Sequence, residues 1–321
     1  MEESNVTSEN RQLYAYIAIT IGSISVIGLI ANALLLYIFL TDKFFRKTTY
    51  YLMLICVISD GISNTSSLIS TGILLAKNAD QSFSMLAMCQ ISGAVVYTSY
   101  GISIMNLCLI SIDRYFACVK PLNNFYLVHK RQILIVSEVF IWIISVAVTL
   151  PDMTFLQPRQ DDEFMCDYPN VTTSISVYLV SLTFVYYTLP SMVIIVTYWR
   201  IIIFQRNYVR PGQPLKPSQQ DISSRQKLIK SLISISTCHV LTTLPYFVVM
   251  FGMGVAGISF AQIQSRNPVL FALCMLAVST TSNITVINPF LYLKFDGNIR
   301  RRLREMIKSL RSARRRRNWI R

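Results

Sequence analysis

The chain has 321 residues, of which 53% are hydrophobic and only 14% charged, and it carries a formal net charge of +14. A soluble chain holds about a quarter charged residues, so this deficit, with a mean hydropathy of +0.46, excludes an ordinary soluble domain. The positive excess suits either nucleic acid or the anionic face of a membrane, and the distribution of the charges along the chain decides between them.

An acidic head with Glu2, Glu3 and Glu9 precedes the first apolar run. That run is too long for the core of a signal peptide and reads as a first span that also targets the chain. A helix needs about 20 apolar residues to cross the hydrocarbon, where backbone groups must be satisfied within the segment. Seven stretches qualify, at 14–40, 49–76, 86–118, 132–151, 174–204, 228–256 and 268–293. The expected fold is an all-α membrane protein, a seven-transmembrane helix bundle over 14–293, with an extracellular segment 1–13 and a cytoplasmic tail 294–321.

Basic residues fix the sidedness. Of the 30 Lys and Arg, 26 fall on one side of such a bundle, and only Arg11, Lys77, Arg159 and Arg266 fall on the other. The expectation is a multi-pass plasma-membrane protein with its N-terminus outside and its tail in the cytosol, next to lipid and not to nucleic acid. Sequons at Asn5 and Asn170 lie on the expected outside and are candidate glycosylation sites, whereas those at Asn64 and Asn283 lie within spans. Five cysteines sit in or beside apolar runs and read as small core residues. Cys89 and Cys166 border outer polar segments and can pair in an oxidising compartment. The stretch "GMGVAG" (252–257) matches a dinucleotide fingerprint, but that motif needs a strand before it and a helix after it, and here it closes a membrane span. With no P-loop, HExxH or GxSxG and only two histidines, no enzyme chemistry is expected.

One marker per span then carries a resemblance. These are "GLIANALL" with Asn32, "LICVISD" with Asp60, Cys89 opening span three and "DRYFACVKPL" closing it, Trp142 in span four, Pro190 and Tyr198 in span five, Pro245 in span six and "NPFLY" (288–292) in span seven. From about residue 14 to 310 the chain resembles a rhodopsin-like (class A) G protein-coupled receptor. The resemblance implies that Asp113 latches Arg114 until activation frees it and a heterotrimeric G protein enters a cleft lined by Tyr198 and Tyr292. Tyr115, Pro121, Leu122, Asn288 and Pro289 belong to the same switch and coupling set. The alternative is that Asp113 and Arg114 form a plain surface ion pair, worth little.

The resemblance also implies an allosteric sodium ion at Asp60, a mid-membrane carboxylate of the kind that is costly and functional, with Ser103 and Asn288 as partners and Thr285 as a further ligand. Ile284 stands where an Asn is common. The alternative is a protonated, hydrogen-bonded Asp60 with no ion; no other cofactor is expected. A disulfide between Cys89 and Cys166 would hold "QDDEFMCDYP" over the cavity mouth. Asp161, Asp162, Glu163 and Asp167 would make that mouth acidic and steer cations toward it, so a basic peptide is the expected ligand; the alternative is a solvated loop with no ligand role. By family position the ligand pocket comprises Val96, Tyr97, Tyr100, Tyr186, Tyr246, Phe247 and Met250, an aromatic and nearly uncharged cavity, although such residues also serve ordinary helix packing. Val96 stands where amine receptors keep an Asp, and span seven has no Lys before Lys294 to carry a retinal Schiff base.

Three departures stand out. The sequence Thr242, Thr243, Leu244, Pro245 lacks the usual Trp of span six. His239 replaces a usual Phe and is expected to be a hydrogen-bonded structural residue. Arg225 stands where many members keep an acid, which invites basal activity. The tail resembles the family's short amphipathic eighth helix, with Phe295, Ile299, Leu303, Met306, Ile307 and Leu310 on one side and basic residues on the other, suited to anionic lipid. The competing readings are a receptor of the same fold for a lipid or chemosensory ligand, a receptor-like protein that no longer signals, and a transporter or channel. Transporters tend to show internal repeats; here there is none, and Asp60 and Glu138 are the only mid-span acids.

Overall fold

The computed structural model describes residues 2–76, 82–159, 165–207 and 219–319. In chain order the helices are α1 (Glu2–Thr41), α2 (Thr48–Ala76), α3 (Ser82–Val119), α4 (Asn124–Thr149), the single turn α5 (Asp152–Phe155), α6 (Thr173–Thr183), α7 (Leu189–Asn207), α8 (Gln219–Ala256), α9 (Phe260–Arg266), α10 (Pro268–Ser282), α11 (Ile284–Phe295) and α12 (Gly297–Trp319). Between α5 and α6 lie two short strands, β1 (Gln157–Pro158) and β2 (Cys166–Asp167), paired antiparallel with Gln157 opposite Asp167. Six stretches are long and apolar enough to cross a membrane, and α10 with α11, bent by 54° between them, makes the seventh.

The borders depart most from the apolar pattern at three places, one of them span six, where α8 starts at Gln219, nine residues before the expected 228. Span four starts at Asn124, eight residues before the expected 132, because the Asn123 side chain caps the helix by accepting from the Tyr126 amide at 3.0 Å. The run His129, Lys130 and Arg131 had masked that first turn. The segment 1–13, expected as a separate extracellular stretch, continues α1 as helix from Glu2; it contains neither Pro nor Gly to stop one.

Helix α3 is the axis of the bundle, and α4 lies at its edge. Of the most apolar window of each, 56% is buried in α3 and 28% in α4. The outward faces carry exposed Ile135, Val139, Phe140 and Ile143 on α4 and Ile58, Ile62 and Ile69 on α2, which hydrocarbon solvates at no cost. Span five is α6 and α7 joined by a π-helical turn at Phe184–Thr188. Pro190 follows it and supplies no backbone N–H, so the preceding turn widens. The wide turn aims Tyr186 inward. Its hydroxyl donates to the Ser145 carbonyl at 2.7 Å, and its ring lies over Gly101, where a Cβ would come within 2.6 Å of it. Glycine at 101 is therefore what admits the aromatic ring between α3 and α4.

Three contacts tie down the end of the bundle that carries the hairpin. Cys166 is disulfide-bonded to Cys89 at the start of α3, with their Cα atoms 5.7 Å apart. The Arg159 amide donates to the Met165 carbonyl at 2.8 Å. The Asp167 carboxylate accepts from the amides of Tyr168, Phe260 and Ala261 at 2.7, 3.1 and 2.9 Å. Asp167 was expected to face the mouth as part of an acidic vestibule. It is instead consumed in joining β2 to the first turn of α9, and Asp161, Asp162 and Glu163 lie outside the described residues.

At the opposite end, Asp296 caps α12 through the Asn298 amide at 2.8 Å and accepts the Tyr50 hydroxyl at 3.0 Å. Arg302 pairs with Asp42 at 3.1 Å. Ile299 is fully buried, and Leu303 and Met306 pack against the core, so α12 presents the expected apolar side to the bundle. The side chain of Leu310 lies outside the described ones, and Ile307 is exposed.

Candidate functional site

The DRY segment closes α3 with its carboxylate turned inward. Asp113 is 1% exposed, and Arg114 donates to its Oδ2 through Nε at 3.1 Å and through a second guanidinium nitrogen. Two residues of α4 complete the clamp. The Tyr126 hydroxyl donates to Asp113 Oδ1 at 2.7 Å, and the Lys130 ammonium pairs with the same oxygen. Phe116 stacks on the Tyr126 ring at 4.4 Å and holds it in place. A plain two-residue surface pair would have no such enclosure. Tyr198 is buried within electrostatic reach of Arg114, whereas Tyr292 lies deeper, beside Cys56 and Asp60. Pro289 is buried in α11, and Tyr115 is half-buried against Phe116. Pro121 and Leu122 form the turn after α3. Leu122 is 88% exposed, and with exposed Phe125 and Val128 it makes an apolar shoulder beside the clamp.

Asp60 is fully buried in the middle of α2. Ser103 donates to its Oδ1 at 3.1 Å, and the Asn288 amide nitrogen donates to its Oδ2 at 2.9 Å. The three residues expected together are thus together. Thr285 reaches Asn64 at 3.5 Å and not Asp60. Among the described residues no group of three His, Cys, Asp or Glu is placed to hold a metal ion, so a cation here would rest on one carboxylate and neutral oxygens, a donor set that fits a hard ion. Asn288 offers nitrogen in this arrangement and would have to turn over to offer its oxygen.

The aromatic residues expected at the pocket form one connected cluster. Tyr97 lies 6.0 Å from Tyr246, Tyr100 lies 6.2 Å from Tyr186 and 5.3 Å from Phe247, and Tyr246 lies 5.0 Å from Phe247. Most of it is packed core. Of the seven, Tyr97 and Met250 line a cavity of about 130 Å³ beside the hairpin strands, and Arg159 lines it too, so its wall is not uncharged as expected. Val96 is half-buried and borders none of the cavities described. Where span six lacks its Trp, the Tyr100 hydroxyl donates to Thr243 at 3.2 Å and the His239 ring stacks on Tyr100 at 5.4 Å. Among the described residues Asn288 lies within reach of the His239 ring, but neither ring nitrogen completes a hydrogen bond of good geometry, and stacking on Tyr100 also holds the ring. A cavity of about 820 Å³ forms a lateral groove among α1, α2 and α3, lined by aliphatic residues such as Ile58, Ile62, Ile69 and Ile91. It opens on lipid-facing side chains and lies away from the charged chemistry.

Asn170 is exposed with φ of 50° in the turn before α6, an accessible position for its sequon. The side chains of Asn5 and Arg225 lie outside the described ones. Sequence reasoning missed Tyr126 and Lys130, which sit thirteen and more residues past Asp113, and Asp152, which follows Pro151 and reads as the start of a loop. Only the path of α4 across α3 reveals the first two.

A bundle of seven spans, with an ion-pair clamp at one end and a disulfide-tethered hairpin at the other, defines a helical membrane receptor. The family described as "7 transmembrane receptor (rhodopsin family)" matches residues 31–292, and the chain belongs to this family, which consists of receptors and not enzymes. It is 23% identical over 269 residues to the alpha-1A adrenergic receptor of Oryzias latipes, covering 73% of this chain and 56% of that one. It is 24% identical over 242 residues to the tachykinin-like peptides receptor 99D of Drosophila melanogaster, covering 71% and 46%. To the G-protein coupled receptor 183 of Homo sapiens it is 26% identical over 294 residues, covering 88% and 78%. The chain thus spans about half the length of the first two relatives. Squid rhodopsin shares the fold with a TM-score of 0.74 at 19% identity, over 94% of this chain and 87% of that one.

Proposed function

We propose that this chain is a plasma-membrane receptor that binds an extracellular peptide and activates a heterotrimeric G protein by opening its cytoplasmic face. The observation that carries this reading is the enclosed Asp113 carboxylate, held from three sides by Arg114, Lys130 and Tyr126 beside the exposed apolar shoulder at Leu122. Such a clamp has a closed form, and release of Arg114 gives an open one. The surplus of basic residues on the same side supports a cytosolic tail and an outside N-terminus; a peptide ligand is supported by the likeness to a receptor whose name specifies peptides. Nucleotide exchange on a purified heterotrimer, measured with the full chain in lipid nanodiscs against a library of basic peptides, is expected to rise with at least one peptide. With Arg114→Ala it is expected to stay at background, a loss of about tenfold or more. Exchange that persists at the wild-type level in Arg114→Ala overturns the reading.

Sodium is part of the same proposal. Asp60 and Ser103 would hold the ion, which would neutralise the buried carboxylate and favour the closed bundle. Exchanging choline for sodium is expected to lower the unfolding midpoint of the wild type and to leave Asp60→Asn unmoved. Equal responses of the two proteins would remove the ion from the account.

A further inference from the structure

We propose that Asp152 is the counter-charge for a cationic head group, an ammonium or a guanidinium, bound among the tyrosines at the hairpin end of the bundle. The proposal rests on the receptor reading and adds to it the chemistry of the ligand.

Asp152 follows Pro151 in the last turn of span four and is 0% exposed. Tyrosines converge on it from four directions. The Tyr168 hydroxyl, from the loop after β2, donates to its Oδ1 at 2.8 Å. Tyr97 of α3, Tyr178 of α6 and Tyr246 of α8 lie within electrostatic reach. None of these completes the carboxylate. Among the described residues Oδ2 completes no hydrogen bond; the Tyr178 hydroxyl is within reach of the carboxylate but short of good bonding geometry, and the Tyr246 hydroxyl completes none either. Asp152 forms no ion pair among the described residues.

A carboxylate offers about four acceptor positions, and one buried away from water persists only when it is paired. A single phenol leaves it short. The missing element is a donor that also carries positive charge, and the surroundings suit one. Tyrosine faces attract ammonium and guanidinium groups through their quadrupoles, and three phenol oxygens around the acid can accept the remaining N–H bonds.

There is also space on the far side of two of these tyrosines, although Asp152 itself does not line it. Tyr97 and Tyr168 adjoin the acid and at the same time line the cavity of about 130 Å³, whose other walls include Met250, Phe260 and Met275. That volume takes a head group and not a whole peptide, so the rest of the ligand would extend from it. Arg159 also lines the cavity and donates to Gln264 Oε1 at 2.6 Å. Burial pushes the Tyr168 phenol well above its ordinary value, so Tyr168 remains a neutral donor that can yield Asp152 to a stronger one.

The test uses the purified full chain in nanodiscs and four probes of similar shape: 2-phenylethylammonium, 2-phenylethylguanidinium, the neutral 2-phenylethanol and the anionic 3-phenylpropionate. At millimolar concentration the two cations are expected to raise the unfolding midpoint while the other two do not. Asp152→Asn is expected to weaken the cation effect about tenfold, whereas Glu138→Gln, at another buried acid, keeps it. Tyr168→Phe withdraws the donor that bonds Oδ1 and is expected to bind the cations at least as well as the wild type, even if it is less stable. Three results overturn the proposal: no shift with either cation, a shift of equal size with the alcohol or the propionate, or a shift that survives Asp152→Asn. If Asp152→Asn does not fold, Tyr168→Phe decides, because loss of the cation effect there means that the phenol and not the acid binds it. No G protein enters these measurements, so their failure leaves the exchange assay on Arg114 standing, and the reverse also holds.

Discussion

Asp113→Ala is expected to raise ligand-independent nucleotide exchange by about tenfold. The substitution removes the acceptor shared by Arg114, Lys130 and Tyr126 and leaves two cations side by side with no counter-charge. A fully buried ion pair broken from one side costs about 3–5 kcal/mol. The Arg114 and Lys130 side chains are 19% and 30% exposed, so water recovers part of that cost and about 1–2 kcal/mol is the reasonable share. If that loss falls on the closed state alone, it shifts the balance toward the open state by roughly a factor of ten, since about 1.4 kcal/mol is one decade. Tyr126→Phe removes one of the three donors and should give a smaller rise. The check is exchange per receptor, normalised to protein in the nanodisc. A rate at or below wild type for both variants would mean that the clamp stores no closed state.

Cys166→Ser is expected to bring the second large effect, on folding and not on signalling. The bond joins residues separated by 77 positions, and restricting a loop of that size in the unfolded chain contributes about 4 kcal/mol in the chain-entropy account. Against the 5–15 kcal/mol typical of a domain, that is a large fraction. The hairpin cannot make up the loss, because strands of two residues each do not stand alone. Surface antibody labelling should fall severalfold, and the unfolding midpoint in detergent should drop. Cys274→Ser, at a buried thiol outside the disulfide, should change both far less. Similar labelling for the two variants would count against the assigned weight of the bond.

The spans were legible because hydrocarbon imposes a length and an apolar composition that a single sequence displays directly. The Asp60, Ser103 and Asn288 cluster was legible only through the resemblance, and the pairing of Cys89 with Cys166, open to the sequence as a possibility, was fixed by it, since each joins residues dozens to hundreds of positions apart. The residues that escaped share one property, which is that another helix defines their role. Lys130 looks like an ordinary basic residue at a membrane border until α4 carries it to Asp113. Asp167 looks like one of four acids in a polar loop until β2 delivers it to the amides of α9. Asp152 looks like a loop residue because proline precedes it, yet α5 continues the turn and buries it. Single-sequence periodicity reports how an element faces its surroundings and is silent on which neighbour it meets.

The double attachment of the hairpin has a mechanical corollary. One strand is bonded covalently to the top of α3, and the carboxylate of Asp167 binds the same strand to the linker between α8 and α10. Cys166 and Asp167 are consecutive, so both attachments converge on one point of β2 and couple the start of α3 to α9 through two neighbouring residues. A chemical reductant alone would open the link to α3 and leave the link to α9 in place.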